Sequence, residues 1–165
     1  METIMNNQYF VERLEDIPGT EVALSMSGMD FMLKILNGEL PLANIARGLN
    51  FKLSSVEKGI VSFTGAPTLD HFNPMGMIHG GWYGTLLDSA MACAVQTLAP
   101  RGTLVTTLEY KINIIRPISL NTQIEAKGTI DHVGRSTGVA HGSITGIEDG
   151  KLYATASTTC IIMQF

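Results

Sequence analysis

The 165-residue chain is 45% hydrophobic but only 16% charged, where about a quarter is usual for a soluble protein. Its length fits one domain with a real core, and the shortage of charge excludes a disordered or coiled-coil chain, leaving a membrane span or surface buried against copies of itself. Eleven Lys and Arg against fifteen Asp and Glu give a net charge of −4, so no nucleic-acid face is implied and any anionic ligand must be held by a few local cations.

The first nineteen residues lack a basic start and an apolar core, so they do not read as a signal peptide. Helical spacing predicts short helices over 5–15 and 30–36, separated by Pro18-Gly19. From Leu49 the pattern turns to strands: Phe51 and Leu53 alternate, and Lys58-Gly59 turns the chain into Ile60–Phe63. Residues 67–78 read as loop, with Asn73-Pro74 and Gly76 as breakers.

Trp82 to Ala99 is the one stretch that resembles a membrane span, yet Asp88 sits near its middle. A carboxylate at a bilayer centre costs roughly 2.5–3.5 kcal/mol, and no basic flank orients the segment. A buried helix is expected, with no membrane partner. Pro100-Arg101-Gly102 ends it. Leu104, Thr106, Leu108, Tyr110, Ile112 and Ile114 then share one strand parity, with Thr107, Glu109 and Lys111 on the other, until Arg116-Pro117. Strands follow over 120–133, 136–147 and 152–163, turned at Gly134-Arg135 and Asp149-Gly150. The expected fold is α+β: one long apolar helix wrapped by a curved antiparallel sheet, with short N-terminal helices. The sheet's edges need cover, and self-association supplies it. Cys93 and Cys160 make no disulfide framework, so a reducing, cytoplasmic compartment is the default.

Between Asp70 and Arg101, Asp88 is the one charged residue. A lone carboxylate on an apolar helix is costly to bury unless paired or functional, and desolvation would make it a better base. A structural Asp that caps a loop or meets a cation is an equally good reading of that residue alone. His79-Gly80-Gly81 opens the helix, where the first N–H groups lack internal partners and glycine permits a close approach. An oxyanion or phosphate site and a plain tight turn both fit. Gly81, Gly84 and Asp88 share a face, with Gly84 leaving open space. Gly80 and Asp88 nevertheless lie about 12 Å apart along the axis. If both act on one carbonyl group, they come from two antiparallel helices of a symmetric dimer.

Other chemistries lack their signatures. There is no G-x-S-x-G elbow, Walker loop or dinucleotide fingerprint. His71, His79, His132 and His141 lack metal-ligand spacing. Neither a metal nor a cofactor is expected.

The segment Asn73-Pro74-Met75-Gly76-Met77-Ile78-His79-Gly80-Gly81 followed by Asp88, then Thr106-Thr107-Leu108-Glu109, Arg116-Pro117 and Gly134-Arg135, resembles the hotdog-fold acyl-CoA thioesterases of the phenylacetate-pathway (PaaI-like) and 4-hydroxybenzoyl-CoA thioesterase branch. The resemblance covers 49–165 as a hotdog thioesterase domain and leaves 1–48 as an N-terminal helical extension. It implies Asp88 as general base or nucleophile, Gly80 as the N–H that polarises the thioester carbonyl, and Asn73 and His79 as positioning groups. Thr107, or Thr106 after a one-residue slip, is the hydroxyl beside the carboxylate. It further implies a homodimer with sites at its interface, dimers pairing into a homotetramer, and an acyl-CoA substrate.

Arg116 and Arg135 are candidate cations for the CoA phosphates, ahead of Lys111 and Arg101, although solvent-exposed charge explains each as well. Gly81, the Gly84 face, Trp82, Met91, Phe72 and Met75 would line the substrate pocket, and are equally good core or loop residues. Two competing readings are a hotdog hydratase, whose acid–base pair has no match here, and a non-catalytic acyl-CoA binding or sensing module, which would have no need of Asp88.

Overall fold

Alternating apolar residues and tight turns fold most of the chain into one six-stranded antiparallel sheet in the computed structural model, which describes residues 7–165. Its strands are β1 (Phe51–Glu57), β2 (Ile60–Gly65), β3 (Thr103–Ile114), β4 (Ile124–Val133), β5 (Thr137–Gly146) and β6 (Leu152–Gln164). They lie in the order β1-β2-β4-β5-β6-β3. The expected Lys58-Gly59 and Asp149-Gly150 turns form, with both glycines at positive φ. The strand expected from Leu120 begins four residues later, at Ile124. Asn121 there takes a positive φ and donates its N–H to Pro67 O in a turn.

The long helix α4 (Gly80–Gln96) crosses the sheet and touches every strand. It is apolar nearly all round, as a helix wrapped by a sheet must be: Tyr83, Leu86, Leu87, Ala90, Met91, Ala94 and Val95 are all buried. The helix sits close because Gly128 of β4 lies under it. A Cβ there would stand 2.3 Å from Ala90 O. Among the described residues no helix is long and apolar enough to cross a membrane.

The N-terminal region departs from the expected helix over 5–15. Residues 5 and 6 lie outside the described residues, and 7–13 are not helical. Their polar groups are taken up elsewhere: Tyr9 O accepts the Leu42 N–H, Val11 O accepts from the Asn44 and Arg47 side chains, and Gln8 Nε2 donates to Leu53 O. An extended segment offers those groups, whereas a helix would consume them. One 3-10 turn (Leu14–Asp16) precedes α1 (Gly19–Leu24), so Pro18-Gly19 starts a helix where a separator was expected. The expected second helix is α2 (Gly28–Leu36). Ser27 caps it by accepting the Asp30 N–H at 3.1 Å, and Met32 and Ile35 are buried. A short α3 (Ile45–Gly48) leads into β1.

Candidate active site

The loop before α4 is built to present the helix start. Asn73 Oδ1 accepts the N–H groups of Met75 and Met77 at 3.0 and 3.1 Å. His71 is buried, its Nδ1 accepting the Thr68 N–H at 2.9 Å and its Nε2 lying 2.9 Å from Gly48 O. His71 O in turn accepts the His79 N–H at 2.8 Å. His79 caps α4, its Nδ1 accepting the Gly81 N–H at 2.9 Å. The Trp82 N–H goes to His79 O. Gly81 is therefore spent on the cap, while among the described residues no acceptor meets the Gly80 N–H. Gly80, Asn73, Tyr83, Ile114 and Arg116 line one cleft of about 350 Å3.

Asp88 sits two turns further along, half-buried on α4. The Thr107 hydroxyl donates to its Oδ1 at 2.7 Å, while Thr106 points to solvent, which resolves the one-residue ambiguity. A β-bulge makes this register possible. The pairing of β3 with β6 shifts between Thr107 and Glu109, leaving Leu108 unpaired and 58% exposed. The unbroken alternation read along β3 is thus wrong: Val105 and Thr107 face α4 before the bulge, and Tyr110 does so after it. Behind the pair, Cys160 Sγ lies 4.0 Å from Thr107 Oγ1. Burial pushes the Cys93 thiol up to about 12, and the nearby Asp88 carboxylate and Cys160 add to that rise. Both thiols are free. Among the described residues no His, Cys, Asp or Glu group is arranged to hold a metal.

Of the expected pocket residues, Phe72, Gly81 and Trp82 line a cleft of about 470 Å3 beside His79. Gly84 does not leave open space, because the Tyr110 ring covers it and a Cβ there would stand 3.2 Å from the Tyr110 hydroxyl. Trp82 is a core residue whose indole N–H donates to Leu49 O at 2.9 Å, and Met91 is fully buried. Met75 is exposed on the loop, and Phe72 bridges to Ile78 beside the core. Arg116 stays near the helix start, donating to Leu152 O. Arg135 is exposed in the β4–β5 turn, and Lys111 and Arg101 are exposed as well. The bulge and the Tyr110 cover left no signal in the sequence, since both depend on how β3 pairs with β6.

Within one chain, α4 runs antiparallel to β3: Gly80 meets Ile114, Gly84 meets Tyr110 and Asp88 meets Thr107. Gly80 and Asp88 therefore stand at separate places along the strand.

Residues 75–153 match the family model of the Thioesterase superfamily. No curated protein matches the chain. Among solved structures, a phenylacetic acid degradation-related protein of Ralstonia eutropha JMP134 is 27% identical, with a TM-score of 0.72 over 79% of this chain and 98% of that one. A hypothetical thioesterase of Streptococcus pneumoniae TIGR4, solved with coenzyme A, is 29% identical, with a TM-score of 0.63 over 70% and 87%. The PaaI protein of the E. coli phenylacetic acid degradation operon, at 23% identity and a TM-score of 0.67 over 73% and 85%, shares the fold.

Proposed function

Starting from a hotdog-fold chain that carries a PaaI-like thioesterase-superfamily region, we propose that it hydrolyses acyl-CoA thioesters to the free acid and CoA. The observation that carries this reading is the Thr107–Asp88 hydrogen bond at 2.7 Å on the core helix. Thr107 fixes Oδ1, while among the described residues Oδ2 accepts nothing. That leaves one carboxylate oxygen oriented and open to take a proton from water or to attack the carbonyl itself. The Gly80 N–H donates to the thioester oxygen as negative charge develops there. Water is the sole co-reactant: its oxygen ends on the acyl carbon, and CoA leaves as the thiol. His79 and Asn73 act on this chemistry indirectly, by holding the helix cap and the loop.

Because Gly80 and Asp88 are about 12 Å apart along one helix, each site takes Gly80 from one subunit and Asp88 from the other. The sheet edge supports a homodimer. β3 is a twelve-residue edge strand, and Leu108, Tyr110 and Ile114 on it are 44–58% exposed. An edge of that length and apolarity calls for a partner strand. Dimers pair further into a tetramer. Arg116, which lines the cleft at Gly80, and Arg135, exposed in the β4–β5 turn, are the cations proposed for the CoA phosphates. Residues 1–48 are an N-terminal extension, whose described part (7–48) packs on a 49–165 catalytic domain, and the protein works in the cytoplasm.

A thiol-release assay over short, medium and aromatic acyl-CoAs tests the reading. Turnover is expected to fall at least about a hundredfold in Asp88→Asn. Equal turnover in wild type and variant would remove Asp88 from the mechanism, and an active monomer would remove the shared site.

A further inference from the structure

Tyr110 covers Gly84 and Met91 is fully buried, so neither opens space for an acyl group. A half-open apolar cavity of about 250 Å3 lies between α2 and α4. Resting on the thioesterase reading, we propose that this cavity takes the acyl group, and that α2 sets its size: an uncharged, medium-length aliphatic or aryl acyl group.

The α4 residues that line the cavity, Ser89, Ala92 and Cys93, begin directly after Asp88 on the same helix. Asp88 and Ala92 are i and i+4, one above the other on α4, and Ala92, with Ser89 and Cys93, forms the cavity floor. These are small side chains on a helix whose other faces carry Leu, Met and Tyr. Val105, another lining residue, is on the β3 face that carries Thr107. A chain bound at Asp88 therefore lies about one helical turn from this opening.

The roof belongs to α2. Phe31, Met32 and Ile35 line the cavity opposite α4, and no charged residue lines it. The helix is clamped in position: the Gly28 N–H donates to Ala99 O at 2.9 Å, and a Cβ at Gly28 would stand 1.8 Å from Gln96 O. Glycine is required for that approach, so the roof height is fixed. An apolar cavity of about 150 Å3 already admits benzene, so 250 Å3 accepts a larger aryl or medium aliphatic group. Phe31 and Ile35 also line a second apolar cavity of about 530 Å3 towards α1, and so form the partition that limits chain length.

The test is calorimetric titration of the full-length oligomer with S-ethyl-, S-octyl- and S-dodecyl-CoA, thioethers that cannot be hydrolysed. Wild type is expected to bind the octyl form at least about tenfold tighter than the ethyl form, because buried methylenes add affinity. Ala92→Phe fills the floor and should bring that ratio to within about threefold. Phe31→Ala opens the partition and should move the preference to dodecyl, so a folding failure of either variant leaves the other to decide. An octyl-to-ethyl ratio near one in wild type, or one that ignores the folded variants, overturns the proposal even if thiol release is normal. A ratio that behaves as expected without thiol release by wild type leaves the cavity standing and removes the thioesterase reading.

Discussion

Gly128→Ala links packing to activity at a distance from the site. The added Cβ would stand 2.3 Å from Ala90 O, 2.4 Å from Ala90 C and 2.6 Å from Met91 N. These are backbone atoms of α4, so no flexible side chain can swing away. Restoring ordinary contact needs roughly 1 Å of separation between β4 and the helix. Overpacking of this kind costs about 1–3 kcal/mol, and at this chain size each kcal/mol lowers Tm by about 2–4 °C. The expected fall in Tm is therefore about 2–12 °C. Asp88 lies two residues before Ala90, so the same displacement stretches its 2.7 Å bond to Thr107. Misplacing a reacting group by about 1 Å can cost a hundredfold in rate. Circular-dichroism melts and thiol release measured on the same preparation read both effects. Gly150→Ala is the comparison: its positive φ is strained, but nothing lies within 4 Å of the added Cβ, so turnover should stay at the wild-type level. A Gly128→Ala protein that melts within about 1 °C of wild type and turns over normally would refute the close-packing argument.

Thr107→Val removes a hydrogen bond to a carboxylate, worth about 1.5–3 kcal/mol. It should lower kcat by about ten- to a hundredfold, and Thr107→Ser should recover most of it in the thiol-release assay. His79→Ala removes the α4 cap bond, about 1 kcal/mol, and should lower Tm by about 2–4 °C in a thermal melt. Cys93 predicts an alkaline loss of stability. Folded, its thiol keeps its proton up to about 12, whereas the unfolded thiol releases it near 8.5. Above about pH 8.5 the unfolded state binds fewer protons, so this contribution is full below that pH and shrinks as pH rises towards 12. Urea unfolding from pH 7 to 10.5 should show the fall, and Cys93→Ala should flatten it. Native Cys93 should likewise resist iodoacetamide at pH 8 and react in urea, as read by mass spectrometry.

Periodicity along the chain was enough for the hairpins, α2, the core helix and the antiparallel strands, because alternation and helical spacing record which faces are buried. It misled over 5–15, where apolar spacing looked helical but the carbonyls of Tyr9 and Val11 are claimed by residues 42–47. That competition is invisible until distant segments meet. The candidate site was legible in outline for a simple reason: a single carboxylate on an apolar helix, preceded by His-Gly-Gly, is costly to bury unpaired, and it is there that the structure places the Thr107–Asp88 hydrogen bond.

Tertiary structure decided what pairing and packing alone control. The bulge at Leu108 selects Thr107 over Thr106, since one extra residue in β3 flips every side chain beyond it. Tyr110, brought inward by the same bulge, covers Gly84 and shuts the face that sequence spacing left open. Residue order thus set which groups exist and on which helix they lie. The register of β3 on β6 and the close seating of α2 on α4 set which of them come together, because both arise from contacts between segments far apart in the chain.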